Sequence, residues 1–391
     1  MGIDRAAGNR TRALIQLLHV LGLLAALVAA AGGAYALLAA SRVGAFRSGL
    51  FDDAKAWPAL SVLKPLHGAE PGLEEALSSF NAQGYAAPVQ LILGIQDPGD
   101  AAIPLARKIA GEAADGVLVV DATPHGANAK IANLINMAGQ ARHEIVVLSD
   151  SDIQVRPDYL KRIVVALSEP GVGVVSCPYY GVPRAGGWSR LAAMGISYQF
   201  LPSVAVGVSL GMARPCMGST IALRRETLTA IGGFEAFADV LADDYAIGAA
   251  VRATGARCVV APILVAHGCA ETAAAEVFAH EVRWARTIRG VDPAGFFGSA
   301  VTHPTAWALI ALLLLQGAPM GWAMLIFALA ARFWLMRQVD TAAELPTTDP
   351  WRLPVRDLFS FGVFLTALFG REVEWRGQRY SVDRQGVMSR T

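Results

Sequence analysis

Two apolar rhythms divide this chain. Between Ala56 and Phe297, short apolar runs alternate with longer stretches whose apolar positions recur every three or four residues. The short runs predict strands at Leu60–Leu63, Val89–Ile95, Val117–Asp121, Ile145–Ser149, Val172–Ser176, Ser219–Leu223 and Arg257–Ala261. The longer ones predict helices at Gly72–Asn81, Ile103–Ala114, Asn128–Ala141, Pro157–Leu167, Arg225–Ile231 and Asp243–Thr254. Pro157 suits a first helical turn, and Asp158 after it faces the positive end of the dipole. Strand–helix alternation predicts an α/β fold, a mostly parallel sheet with helices on both faces. No internal repeat is visible, and no G-x-G-x-x-G follows the first strand, which argues against a dinucleotide fold.

The second rhythm is unbroken apolarity. Ala13 to Ala40 carries no charge, and about 28 helical residues span roughly 42 Å, enough to cross a bilayer with tilt. A cleaved signal peptide is the rival, since small residues follow Leu27, but the run is longer than a usual signal core. Thr305 to Met336 is broken at Gln316-Gly317-Ala318-Pro319. One tilted helix or a hairpin of two short ones fits, and the breakers favour the hairpin. Leu358 to Phe369 is too short to span and predicts a re-entrant or interfacial element. Trp188 to Met212, with Pro202 inside it, reads either as core or as an interfacial element that admits a lipid. The predicted division is a tail at 1–12, an anchor at 13–40, an α/β domain at 56–297, a membrane helix or hairpin at 303–337, a short membrane or interfacial segment at 355–370 and a basic tail at 371–391.

Composition agrees with this division. The chain is 54% hydrophobic and 17% charged, with mean hydropathy +0.42, more apolar than a soluble domain usually is. A net charge of +1 gives no global field for nucleic acid. Arg371, Arg376, Arg379, Arg384 and Arg390 follow the last apolar stretch and suit anionic headgroups. Cys177, Cys216, Cys258 and Cys269 show no metal-binding spacing; a zinc site from His267, Cys269 and His280 has little to recommend it, and buried free thiols are the ordinary reading.

The candidate chemistry lies in four clusters: Gln96-Asp97, Asp150-Ser151-Asp152, Asp243-Asp244, and Arg283-Trp284 with Arg286 and Arg289 behind. Open α/β sheets bind ligands at the carboxyl ends of their strands, where Asp150 to Asp152 falls. Alternate residues on a strand face opposite ways, so one Asp suits a nucleotide and the other a hard divalent ion. Singly, each cluster has a bland reading. An Asp pair is often a solvated turn or a helix start, Arg-Trp a surface cation–π pair, and Lys130 a solvated charge. Their order along the chain outweighs these readings.

That ordered set resembles the membrane-bound family-2-type glycosyltransferases of the ceramide glucosyltransferase-like branch, and within it the bacterial hopanoid-biosynthesis-associated enzymes. The carriers are Ser61-Val62-Leu63-Lys64-Pro65-Leu66-His67-Gly68, Gln96-Asp97, Asn128 to Leu134, Ser149 to Ile153, Ala242-Asp243-Asp244-Tyr245 and Val282-Arg283-Trp284, with an echo in Trp375 to Tyr380. The resemblance implies a GT-A-like fold with membrane helices at both ends. It implies donor contacts from Lys64, Asp97, Lys130, Asp150, Arg283 and Trp284, with Asp152 helping to hold Mg²⁺ or Mn²⁺. Asp244 would be the base that deprotonates an acceptor hydroxyl. Direct attack opposite the leaving diphosphate would invert the anomeric centre, and no second carboxylate is clearly placed as a covalent nucleophile.

Two departures from the family pattern concern the tentative positions. His280 stands where Gln or Arg opens the Arg-Trp motif, and an imidazole donates there in either protonation state. Ala242 replaces a frequent acidic residue, leaving Asp243 as a spare carboxylate. The implied partners are a UDP-sugar, N-acetylglucosamine before glucose, and a membrane lipid hydroxyl, a hopanoid before ceramide or sterol. UDP-sugars are cytosolic, so the catalytic domain is expected to face the cytoplasm from a bacterial inner membrane. A processive polysaccharide synthase would carry more spans, and a non-catalytic scaffold would have no need of three intact acidic clusters.

Overall fold

The α/β region builds one seven-stranded sheet from β1 (Leu60–Leu66), β2 (Val89–Ile95), β3 (Gly116–Val120), β4 (Ile145–Leu148), β6 (Val172–Ser176), β8 (Ile221–Arg224) and β9 (Arg257–Val260). In this computed structural model residues 2–46, 57–346, 350–370, 372–375, 378–382 and 388–390 are described, with side chains at 9, 12–46, 57–346 and 350–370. Ala56, Arg371, Arg376 and Arg384 of the sequence reading lie outside the described residues.

Strand order is β3-β2-β1-β4-β8-β6-β9, parallel except for β8. The chain winds outward from β1 to β3 and then crosses back to lay β4 on the other side of β1. The carboxyl ends of β1 and β4 therefore form the switch point where such sheets open a ligand crevice.

Period-two alternation decides which side chain meets which helix layer. Leu60, Val62, Leu91, Leu93, Ile145 and Val147 pack toward helices Leu73–Asn81, Ile103–Glu112 and Tyr159–Leu167. Leu63, Ile92, Val146 and Leu148 pack the other way, toward Ala129–Ala138 and Asp243–Ala253. Both faces are covered, which is why the strands read as continuous apolar runs.

A second sheet pairs β5 (Ile153–Gln154), β7 (Tyr179–Pro183) and β10 (Val265–Cys269) in the order β5-β10-β7. The tail strands Glu372–Trp375, Gln378–Val382 and Met388–Arg390 form an antiparallel sheet.

Three helices among the described residues are long and apolar enough to cross a membrane: Arg12–Phe46, Gly187–Ser209 and Pro319–Ala343; the bent pair Pro293–Thr302 and Pro304–Leu314 makes up to a fourth. The first belongs to a continuous helix from Gly2 to Val43, so residues 2–12 of the tail are helical too. Thr305 to Met336 divides at Gln316 and Gly317, both at positive φ, into two separate helices. Ala25, Ala26 and Ala29 meet Ala308, Ala311 and Ala328, the small-residue contact that lets membrane helices approach closely.

Gly187–Ser209 is different, because most of it is buried inside the protein. Of the two readings of Trp188–Met212, core is the one observed. A π turn at Ile196–Phe200 interrupts this helix, a feature frequent at functional sites. Within that turn the Tyr198 carbonyl accepts from Arg332 Nη1 (2.8 Å). Arg332 also pairs with Asp357 (2.7 Å), both side chains nearly inaccessible. Asp357 in turn accepts from Thr305 Oγ1 (2.7 Å). One buried network thus ties the core helix to Pro304–Leu314, Pro319–Ala343 and Arg352–Ala367.

Candidate active site

Asp150 and Asp152 lie in the turn between β4 and β5, at the switch point. Lys64, on the neighbouring strand β1, is fully buried beneath this turn. Its ammonium donates to the Asp150 carbonyl (2.7 Å) and the Ile153 carbonyl (3.2 Å), and sits 4.0 Å from the centre of the Phe80 ring. Burial pushes its pKa down to about 7, against the pull of Asp152 and Asp150. Lys64 therefore braces the acidic turn from below and has no exposed surface for a donor.

Lys130 opens the helix Ala129–Ala138. Asn128 caps that helix, its side-chain oxygen accepting from the Lys130 and Ile131 amides, as an N-cap should. The Lys130 ammonium lies 2.6 Å from Asp150 Oδ1 and 3.4 Å from Asp243 Oδ2. Burial alone would lower its pKa, but Asp150 and Asp243 outweigh that and leave it raised. Lys130 is a fixed cation at the centre of the cluster.

Asp243 and Asp244 begin the helix Asp243–Ala253, where carboxylates favour the dipole. Asp244 Oδ2 accepts from the Gly218 amide (3.0 Å) and Oδ1 from the Tyr245 amide (2.7 Å). Burial, reinforced by the charge of Asp243, pushes the Asp244 pKa up to about 6, against the pull of Lys130. Gly218 was not singled out from the sequence. A Cβ there would stand 2.9 Å from Asp150 Oδ2 and 3.0 Å from Lys130 Nζ, so a side chain at 218 would displace one of these two groups. A glycine just ahead of a strand was the available signal.

Asp152 forms a second group. Its Oδ2 lies 3.3 Å from His267 Nε2, because β10 pairs His267 directly opposite Ile153. Its Oδ1 is buried with no hydrogen-bond partner among the described residues. Burial raises the Asp152 pKa, with His267 opposing. His267 stacks on Tyr179 (5.3 Å between centroids) and meets the edge of Trp284 at 6.4 Å. Trp284 also packs on His280 (4.4 Å), whose Nδ1 is 3.0 Å from Glu271 Oε1. His280 is thus held by Glu271, and no three His, Cys, Asp or Glu side chains among the described residues are grouped to hold a metal by themselves. The four cysteines are free and buried.

Arg283 is half-buried, its pKa lowered by burial alone, and its guanidinium has no side-chain partner among the described residues. Arg286 and Arg289 do something else: they donate to the Phe369 carbonyl and to the Ala367 and Leu368 carbonyls, finishing the helix Arg352–Ala367. Asp97 stands apart, exposed at the end of β2, with Oδ1 accepting from the Gly99 amide (2.8 Å). The structure thus gathers Lys130, Asp150, Asp243 and Asp244 in one cluster, and Asp152, His267, His280 and Trp284 in another.

A mixed, mostly parallel sheet with an acidic turn at its switch point is the architecture of GT-A-like glycosyltransferases. The chain belongs to glycosyl transferase family 21, matched over residues 21–388. It is 25% identical over 230 residues to ceramide glucosyltransferase 1 of Caenorhabditis elegans, a match covering 58% of this chain and 49% of that one. It is 24% identical over 130 residues to the ceramide glucosyltransferase of Candida albicans, covering 30% and 24% of the two chains. The match thus spans about half the length of the first relative and a quarter of the second. Among solved structures, a mannosyltransferase from Pyrobaculum calidifontis in complex with GDP-mannose and Mn²⁺ superposes with a TM-score of 0.50 at 22% identity, covering 89% of this chain and 99% of that one.

Proposed function

We propose that this glycosyltransferase moves one sugar, with inversion, from a UDP-sugar to the hydroxyl of a membrane lipid. The observation that carries the reading is Asp244: a carboxylate held by two backbone amides in the same cluster as Lys130 and Asp150. With a pKa near 6 it is ionised at neutral pH yet basic enough to take a proton as the acceptor oxygen attacks. The acceptor oxygen forms a bond to the anomeric carbon, the bond from that carbon to the diphosphate oxygen breaks, and the hydroxyl proton ends on Asp244. Lys130 and Arg283, which has no side-chain partner among the described residues, are the cations suited to the charge that develops on the departing diphosphate. Asp97, exposed at the end of β2, is the proposed uridine contact, and Asp150 the nucleotide contact.

The residues around Asp152 fit a divalent ion. Its unpartnered Oδ1 and the neighbouring His267 imidazole offer an oxygen and a nitrogen, and diphosphate oxygens complete such a set in many transferases. Mg²⁺ or Mn²⁺ bound there would neutralise diphosphate charge. The donor sugar we favour is N-acetylglucosamine, with glucose second. The acceptor we favour is a hopanoid, with ceramide or a sterol-type lipid second, the ceramide reading drawing support from the two relatives. The apolar helices support placement in a membrane, which we take to be a bacterial inner membrane with the α/β domain in the cytoplasm.

The test is purified protein with Mn²⁺, UDP-N-acetylglucosamine or UDP-glucose, and vesicles carrying a hopanoid or ceramide, with products identified by mass. One added hexosamine or hexose on the lipid is expected. Polymer, or UDP binding without turnover on any lipid, would overturn the reading.

A further inference from the structure

The helix Arg352–Ala367 carries apolar residues on two sides, with Leu353, Val363, Phe364 and Ala367 buried against the protein. Charged and polar residues face inward: Arg356, Asp357 and Ser360 are buried. Trp351, Val355, Leu358, Leu365 and Phe369 face outward at 82%, 62%, 43%, 41% and 73% exposure. Their spacing of four, three, seven and four residues is one continuous helical stripe. A surface helix ordinarily buries such a stripe, and exposing one in water forgoes roughly 1.5–3 kcal/mol for each large side chain.

The inward charges are all matched, so the orientation is specified and not a default. Arg356 holds Glu281 through two bonds of 2.7 and 2.6 Å, and Asp357 holds Arg332 on the spanning helix Pro319–Ala343. The helix is thus tied through its inner face to the apolar helix Pro319–Ala343. At its amino end exposed Trp188 and Trp351 stand near Arg190 and Arg352, the latter beside Gly187, an aromatic and basic edge of the kind found at headgroup level.

The inner side of the same helix meets the second active-site cluster. Phe359 packs in one apolar group with Trp284, Phe200 and Tyr179, and Tyr179 stacks on His267 beside Asp152. We propose that the helix lies flat on the bilayer, its stripe seated among the acyl chains of the leaflet on the catalytic side. It thereby sets the apolar group of Phe359, Trp284 and Phe200, which reaches Tyr179 and the Asp152 cluster, toward the membrane, so that the acceptor headgroup enters the site without its chains leaving the lipid. The acceptor route rests on the transferase reading; the seating of the helix does not.

Single cysteines are placed for Leu358, Leu365 and, as a control on the α/β domain, exposed Glu112, in the full chain, whose native cysteines are buried. Each variant is spin-labelled in phosphatidylcholine–phosphatidylglycerol vesicles with no sugar nucleotide present. Oxygen is expected to collide with the labels at 358 and 365 more often than a water-soluble nickel chelate does, and less often at 112. Nickel-dominant collisions at 358 and 365 would overturn the seating of the helix whether or not the protein transfers sugar. The double variant Leu358→Glu/Leu365→Glu, shown to be folded by its retained binding of UDP with Mn²⁺, is expected to raise the KM for the vesicle acceptor at least tenfold. An unchanged KM would overturn the acceptor route.

Discussion

The Gly218 amide donates to Asp244 Oδ2 at 3.0 Å, and the bare Cα of Gly218 faces Asp150 and Lys130. A Cβ would stand 2.9 Å from Asp150 Oδ2 and 3.0 Å from Lys130 Nζ, so Asp244, Asp150 and Lys130 all meet one backbone position. Gly218 does not have a positive φ, so alanine there meets only contact strain. Gly218→Ala is expected to lower kcat about 10- to 100-fold, as misplacements near 1 Å do, with little loss of thermal stability. Steady-state kinetics beside a melting curve separate the two effects.

Lys130 joins two carboxylates from different parts of the chain. Lys130→Met leaves Asp150 and Asp243 facing each other without a cation. Removing one partner of a fully buried pair costs about 3–5 kcal/mol, but Asp150 is 34% exposed. Solvent screening reduces the expected loss to about 1–3 kcal/mol. Nucleotide binding should weaken as well, which calorimetry with UDP and Mn²⁺ reads directly.

The raised pKa of Asp244 sets a pH dependence. A base works when ionised, so kcat/KM should hold above pH 6 and fall about tenfold per unit below it. Linkage has the opposite sense: a carboxyl raised from 3.8 to about 6 favours folding most below about pH 4. That contribution is lost as pH rises through 6. Activity and the stability owed to this group should therefore move in opposite directions between pH 4 and 7, as rate profiles and melting curves would record.

Arg332 and Asp357 are each 4% exposed. Arg332→Met strands a buried carboxylate and should cost about 3–5 kcal/mol, whereas Arg332→Met/Asp357→Leu should recover much of it. Thermal unfolding in detergent compares the two. Equal melting temperatures for single and double variants would contradict the buried-pair account.

The central strands of the main sheet were legible because they are buried on both faces and read as nearly unbroken apolar runs, as Ile145–Leu148 does, and the half-buried edge strands Gly116–Val120 and Arg257–Val260 still keep short apolar runs. The acidic turn after β4 was legible for the same reason, since it ends such a run. The small sheet was not. β5 has two residues, β7 ends in Pro183, and β10 carries His267 and Gly268, so no apolar alternation marks them. Their pairing joins segments more than eighty residues apart in the chain. Hence His267 could not be set beside Asp152 from the sequence. The burial of Lys64 against the Asp150 and Ile153 carbonyls was not legible either, since it is a tertiary fact that the motif around Lys64 does not mark.

In the proposed reaction Asp244 takes the acceptor proton. The most direct measurement is the rate of sugar transfer to vesicle lipid by Asp244→Asn, beside its affinity for UDP and Mn²⁺. A fall of about 10²- to 10⁴-fold in transfer with UDP affinity kept within a few-fold is the predicted result. Transfer at the unaltered rate would contradict it.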